Sequence, residues 1–182
     1  MQQEVIIAGF GGQGVLFTGQ LISYAAMDAG KAVTWIPSYG PEMRGGTANC
    51  TVVVSDEEIG SPFVKNPTAV IAMNLPSLEK FEDLVETGGV LVVNSSMVNR
   101  SVTRKDIKVV SLPANEISET LGSKRSANMV MLGALLANLE LLSLDDVEAA
   151  LEGHLPERHQ QYLEANKAAL RKGAEYRAAV AA

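Results

Sequence analysis

The sequence predicts an α/β protein, a three-layer α/β/α arrangement around a mixed, mostly parallel sheet. Three observations carry that expectation. Short runs rich in Val and Ile alternate with longer helical patterns, the order expected when helices cover a sheet. The runs rarely alternate polar with apolar residues, which suits strands buried on both faces. A Rossmann-like glycine turn at 9–14 joins the first run to the first helical stretch.

Strand-like runs lie at 4–9, 32–37, 48–55, 69–74, 90–94 and 108–112. Helical patterns occupy 14–29, 76–86, a short 115–121, 126–141, 144–152 and 157–179, so the C-terminal third is helical. Pro76 suits a first helical turn, and Gly88-Gly89 suits the stop after Glu86. Ser143 followed by Asp146 is close to a capping box, with Asp where Glu or Gln is usual. In the final pattern Leu163, Leu170 and Ala174 mark one face. Only ten residues, rich in Gly and Pro, separate Pro37 from Ala48. No crossover helix fits there, so the third strand is expected to run antiparallel to its neighbour.

At 182 residues the chain is expected to be a single domain, 1–182, because domains usually run to about 100–200 residues. Such a chain buries about 70% of its unfolded surface and needs no disulfide or structural metal. The one cysteine, Cys50, has no partner for a bridge and is expected to be a small buried hydrophobe, not a nucleophile. His154 and His159 have no cysteine at zinc-like spacing and read as solvated surface residues, so no metal ligand is assigned. One thiolate cannot hold an iron–sulfur cluster. A net charge of −6 without a basic run leaves no footprint for nucleic acid. The longest apolar stretch, 129–139, is too short for a membrane span of about 20 residues. The N-terminus has no basic segment before a hydrophobic run, and a cytoplasmic location is expected.

Two glycine-rich turns carry the candidate site. Gly9, Gly11, Gly12, Gln13 and Gly14 follow the first strand and open a helix. Glycines there permit positive φ and let backbone amides approach an anion. No carboxylate ends the second strand to hold a ribose, since Asp28 lies within the preceding helix, so a dinucleotide fingerprint is half present. Val15-Leu16 stand where a P-loop needs Lys and Ser/Thr, so ATP hydrolysis has no machinery. A tight strand-to-helix turn without a ligand explains the glycines as well. The second turn holds Ser38, Tyr39, Gly40, Pro41, Glu42, Met43, Arg44, Gly45 and Gly46. Both turns are expected to meet at one sheet edge, where such sheets place their ligands. Arg44 suits a phosphate or carboxylate with its planar fork, or a pair with Glu42. No histidine or second carboxylate is expected nearby as a base, so no catalytic residue is assigned.

The segments Ile7 to Gly14, Ser38 to Gly46, and Ser55 with Ile59-Gly60-Ser61-Pro62 together resemble the gamma subunit of 2-oxoacid:ferredoxin oxidoreductases. Asn128, Leu132-Gly133-Ala134-Leu135 and the helical tail extend the likeness over nearly the whole chain. The 2-oxoglutarate members look nearest, with pyruvate and branched-chain members close by. The resemblance implies a non-autonomous subunit, inactive when isolated, of an enzyme that oxidatively decarboxylates a 2-oxoacid to its acyl-coenzyme A and reduces ferredoxin. It implies that thiamine diphosphate, Mg and the iron–sulfur clusters belong to alpha, beta and delta chains. This chain would bind none of them, but would dock against those partners and help shape a coenzyme A site. On that reading Gln13 offers its amide across the interface and Arg44 grips a carboxylate or a coenzyme A phosphate. The face meant for its partners also gives an isolated gamma chain a route to a homodimer. A stand-alone nucleotide-binding oxidoreductase and a non-catalytic scaffold are the alternatives.

Overall fold

The computed structural model describes residues 1–40, 45–123 and 125–178. Among them are strands β1 (Gln2–Phe10), β2 (Ala32–Tyr39), β3 (Thr47–Ser55), β4 (Ala69–Ala72), β5 (Val90–Asn94) and β6 (Lys108–Leu112). They form one sheet in the order β2-β3-β1-β4-β5-β6. β1, β4, β5 and β6 pair in parallel, while β3 lies antiparallel to both β1 and β2. The mixed sheet follows from the short β2–β3 connection, which permits only an antiparallel return. With β3 reversed between them, β1 and β2 point the same way and end on the same edge.

The helices are α1 (Val15–Asp28), α2 (Leu75–Phe81), α3 (Ala114–Thr120), α4 (Ala127–Asn138), α5 (Leu144–His154) and α6 (Leu163–Gly173). Alternate side chains of each strand face opposite layers. Val5 and Ile7 of β1, Ala69 and Ile71 of β4, and Val90 and Val92 of β5 face a large core formed with α1, α3, α4, α5 and α6. Ile6, Ala8, Val70, Ala72, Leu91 and Val93 face a smaller core closed by Leu78, Phe81, Val85 and Val98. No described helix is long and apolar enough to cross a membrane.

Local chemistry sets the helix ends. Asn74 caps α2 by accepting the Ser77 amide at 3.0 Å, and a proline follows in the first turn. The Ser143–Asp146 capping box on α5 is complete in both directions. Two expectations need correction. The 76–86 pattern is α-helical only to Phe81, then tightens to a 3₁₀ turn at Glu82–Leu84. There the buried Glu82 carboxylate accepts from the Thr103 amide and hydroxyl and pairs with Arg100 at 2.7 Å. Burial pushes this carboxyl up, but those partners together outweigh it and hold it below the usual glutamate value. The 157–179 pattern is also not one helix. A 3₁₀ turn at Glu157–Tyr162 precedes α6, which stops at Gly173. Asn138 takes over the chain beyond, donating to the Tyr176 carbonyl and accepting the Ala178 amide, both at 2.8 Å.

The α4–α6 contact is close because both helices present glycine. A Cβ on Gly133 would run into the Leu170 carbonyl, and one on Gly173 into the Val130 carbonyl. Backbone cannot yield as a flexible side chain does, so the helices would have to separate. Gly133→Ala is therefore expected to cost about 1–3 kcal/mol in urea unfolding. Gly153→Ala, where a Cβ meets open space on α5, is the control and should be neutral or stabilise by about 0.4–1 kcal/mol. Equal stabilities for the two variants would contradict this account of the helix contact.

Candidate functional site

The two glycine turns are joined through their backbones at the sheet edge. The Gly11 amide donates to the Gly46 carbonyl at 2.9 Å and the Gly11 carbonyl accepts the Gly45 amide at 3.4 Å, while the Gly40 amide closes the second turn on the Thr47 carbonyl at 3.1 Å. Gly12, Gly14 and Gly45 take φ of 99°, 77° and 76°, a region that only glycine enters without strain. Gly9 is needed for closeness, since a Cβ there would lie 2.6 Å from Gln13 Oε1 and 2.9 Å from Met73 Cβ.

The Gln13 carboxamide is partly engaged within the molecule. Its Oε1 accepts the Phe10 amide at 2.6 Å and Asn74 Nδ2 at 3.2 Å, so this acceptor is used inside the turn. Ser38 and Tyr39 are exposed at the end of β2, with Tyr39 62% accessible at the lip of the site. Pro41, Glu42 and Arg44 lie outside the described residues.

A cleft sits on each side of the first turn. The larger, about 660 Å³, is mainly apolar and includes Phe10, Val15, Trp35, Pro37 and Tyr39. The second, about 480 Å³, carries more polar side chains, among them Ser123, Arg125, Asn128, His159, Tyr162 and Asn166, beside Phe17 and Leu155. Gly12, Gly14 and Phe17 line both, so the turn is the sill between them. The two volumes are in the range of small-molecule sites. Helix α1 begins on this sill at Gly14 with no side-chain cap and no acid in its first turn. Its first amides and the positive end of its dipole are thus available to an anion, with the exposed Arg125 beside the polar cleft.

The polar cleft corrects the expectation that no histidine stands nearby. His159 is half-buried there, and its Nε2 lies 3.2 Å from Arg158 Nε. His154 is exposed but engaged, stacking on Tyr24 with ring centroids 4.3 Å apart and bonding Asp28 at 2.9 Å. Arg125, Asn128, His159 and Tyr162 were missed because they follow the turn by more than a hundred residues. The only local hint is Ser126-Ala127-Asn128, a helix-start composition immediately after Ser123 and Arg125.

Known proteins resemble this chain over most of its length. A family model described as pyruvate ferredoxin/flavodoxin oxidoreductase matches residues 4–176. The ketoisovalerate oxidoreductase subunit VorA of Methanothermobacter thermautotrophicus is 45% identical over 143 residues, covering 79% of this chain and 29% of VorA. The chain thus spans under a third of the VorA relatives it matches. The 2-oxoglutarate synthase subunit KorC of Methanothermobacter marburgensis is 37% identical over 163 residues, covering 86% of this chain and 88% of KorC. The crystal structure of a keto/oxoacid ferredoxin oxidoreductase gamma subunit from Geobacter sulfurreducens superposes with a TM-score of 0.83. It is 28% identical and covers 96% of this chain and 95% of that one.

Those names belong to redox proteins, yet the lone thiol here is chemically quiet. Cys50 is fully buried beneath α1, where a Cβ on Gly19 would collide with its Sγ. Burial pushes its pKa up to about 12, so at pH 8 it is a neutral thiol without access to solvent. Iodoacetamide at pH 8 should leave the native chain unmodified and alkylate it once in urea, read by intact mass. Rapid stoichiometric modification of the folded chain would show a reactive cysteine.

Proposed function

The chain belongs to the pyruvate ferredoxin/flavodoxin oxidoreductase family, and on that premise we propose that it is the gamma subunit of a multi-subunit 2-oxoacid:ferredoxin oxidoreductase. In this reading the enzyme converts 2-oxoglutarate to its acyl-coenzyme A, and the glycine-turn edge docks partner chains and helps shape the coenzyme A site. The observation that carries the site assignment is the pair of clefts, one mainly apolar and one with several polar side chains, on either side of one helix N-terminus. Coenzyme A is itself two-natured, with an adenine ring and pantetheine arm joined through phosphates. An apolar cleft offering Trp35 and Tyr39 suits the ring, and the α1 amides with Arg125 suit the phosphates. Arg44 joins this group on its chemistry alone.

The chain's own residues do not fit the enzyme's other groups. One cysteine cannot hold an iron–sulfur cluster, and among the described residues no three His, Cys, Asp or Glu side chains are grouped for a metal. By the family resemblance, thiamine diphosphate, Mg and the clusters belong to alpha, beta and delta partners, with ferredoxin reached through the complex. Coenzyme A would supply the thiol that accepts the acyl group, and this chain would hold and orient its distant end. Relatives named for 2-oxoglutarate match along most of their own length, which supports that substrate. The 45% identity to a ketoisovalerate subunit favours a branched-chain 2-oxoacid as the second reading.

Charge reversal at Arg125 tests the site. In the purified complex, Arg125→Glu should raise the KM for coenzyme A about tenfold while kcat and the KM for the 2-oxoacid change little, the signature of lost uniform binding. An unchanged KM for coenzyme A would remove the polar cleft from the coenzyme site.

A further inference from the structure

The Gly14 carbonyl is held by three donors. It accepts the Thr18 amide at 2.9 Å, Thr18 Oγ1 at 3.0 Å and Asn128 Nδ2 at 3.3 Å. Asn128 Nδ2 also reaches Thr18 Oγ1 at 3.2 Å, closing a small ring of bonds between α4 and α1. Both side chains are enclosed, with Thr18 1% and Asn128 6% exposed. The Asn128 carboxamide presses on Gly14 so closely that a Cβ there would collide with it.

This arrangement answers a need created by the turn. A planar trans peptide points its carbonyl and its amide in opposite directions, so holding the Gly14 oxygen aims the Val15 amide away from the helix, toward the clefts. Glycine at positive φ supplies no such restraint, because it reverses φ at little cost. The Gly12-Gln13-Gly14 segment would otherwise sample several peptide orientations, and α1 would present its amides in none of them consistently. The restraint comes from α4, whose first turn is anchored by buried Met129, Val130 and Met131. On the far side the Asn74–Gln13–Phe10 bonds hold the start of the same turn.

The geometry points to Asn128 as a positioning residue that, through Thr18, fixes the Gly14–Val15 peptide so that the first amides of α1 meet the ligand at the sill. The inference rests on the coenzyme A reading of the clefts and makes Asn128 part of how that ligand is selected. The residue is not catalytic, since it acts on backbone alone. Its Oδ1 necessarily faces away from the Gly14 carbonyl, and among the described residues it accepts no hydrogen bond.

Two measurements on Asn128→Ala test it, amide exchange of Thr18, whose N–H donates to the same Gly14 carbonyl, in the full chain and steady-state kinetics of the complex. Loss of the Asn128 bond to the Gly14 carbonyl predicts exchange faster by about tenfold and a KM for coenzyme A raised about fivefold at unchanged kcat. Thr18→Val should reproduce both effects, and Thr18→Ser, which keeps the hydroxyl, should restore values near those of the parent. Asn128→Asp should raise the KM further, because it removes the donor and sets a negative charge against an anion. Unaltered exchange at Thr18 would overturn the positioning role, as would a lowered melting temperature with an unmoved KM while Arg125→Glu still moves it. If neither Asn128→Ala nor Arg125→Glu moves the KM, the coenzyme A reading itself fails.

Discussion

Everything at the candidate site depends on the reversal of β3. A strand of opposite sense between β2 and β1 brings the ends of those two strands to one edge, separated only by the start of β3. Phe10 then stands opposite Thr47 and Tyr39 opposite Ala48. Two glycine turns far apart in a parallel arrangement become neighbours, and the Gly11–Gly46 bond joins them. The joint uses backbone alone, which is why the segment is glycine on both sides and why side-chain chemistry is left free to face outward.

That edge is supported asymmetrically. Five helices and the larger core lie behind one face, with α2 and a 3₁₀ turn on the other. The heavy side delivers α1 to the sill and places α4 and the segment before α6 around it, so the polar cleft is assembled from three separate stretches of chain. The light side contributes Asn74, which caps α2 and holds Gln13 with one carboxamide. A site supported from both layers keeps glycines in fixed conformations that their own backbone would not maintain. The chemistry it offers is binding and orientation, consistent with a subunit that serves a reaction completed by other chains.

Much of this was legible from the residues in order. Val- and Ile-rich runs marked all the strands because burial on both faces leaves little room for polar alternation. The ten residues between Pro37 and Ala48 implied the reversal, and Ser143 with Asp146 marked a helix start that the structure completes. What escaped notice depends on contacts distant in sequence. Gln13 looked available because nothing local showed Asn74, 61 residues on, turning its oxygen inward. The last helix looked continuous because Ala-rich composition says nothing of Asn138, which captures the chain near Tyr176 and Ala178. His159 and Asn128 gave no sign of the glycine turn because no fixed spacing links them to it, only the packing of α4 against α1 and α6 and of the 3₁₀ turn before α6.

On the proposed function this chain completes an enzyme and is inactive by itself. The most direct test is 2-oxoglutarate- and coenzyme A-dependent reduction of ferredoxin or a viologen dye by the partner chains with this chain absent and then added back. The account predicts no reduction by this chain alone, little by the partners without it, and full activity on reconstitution. Full activity of the partners without this chain, or saturable binding of NAD or FAD by the chain in isolation, would contradict it.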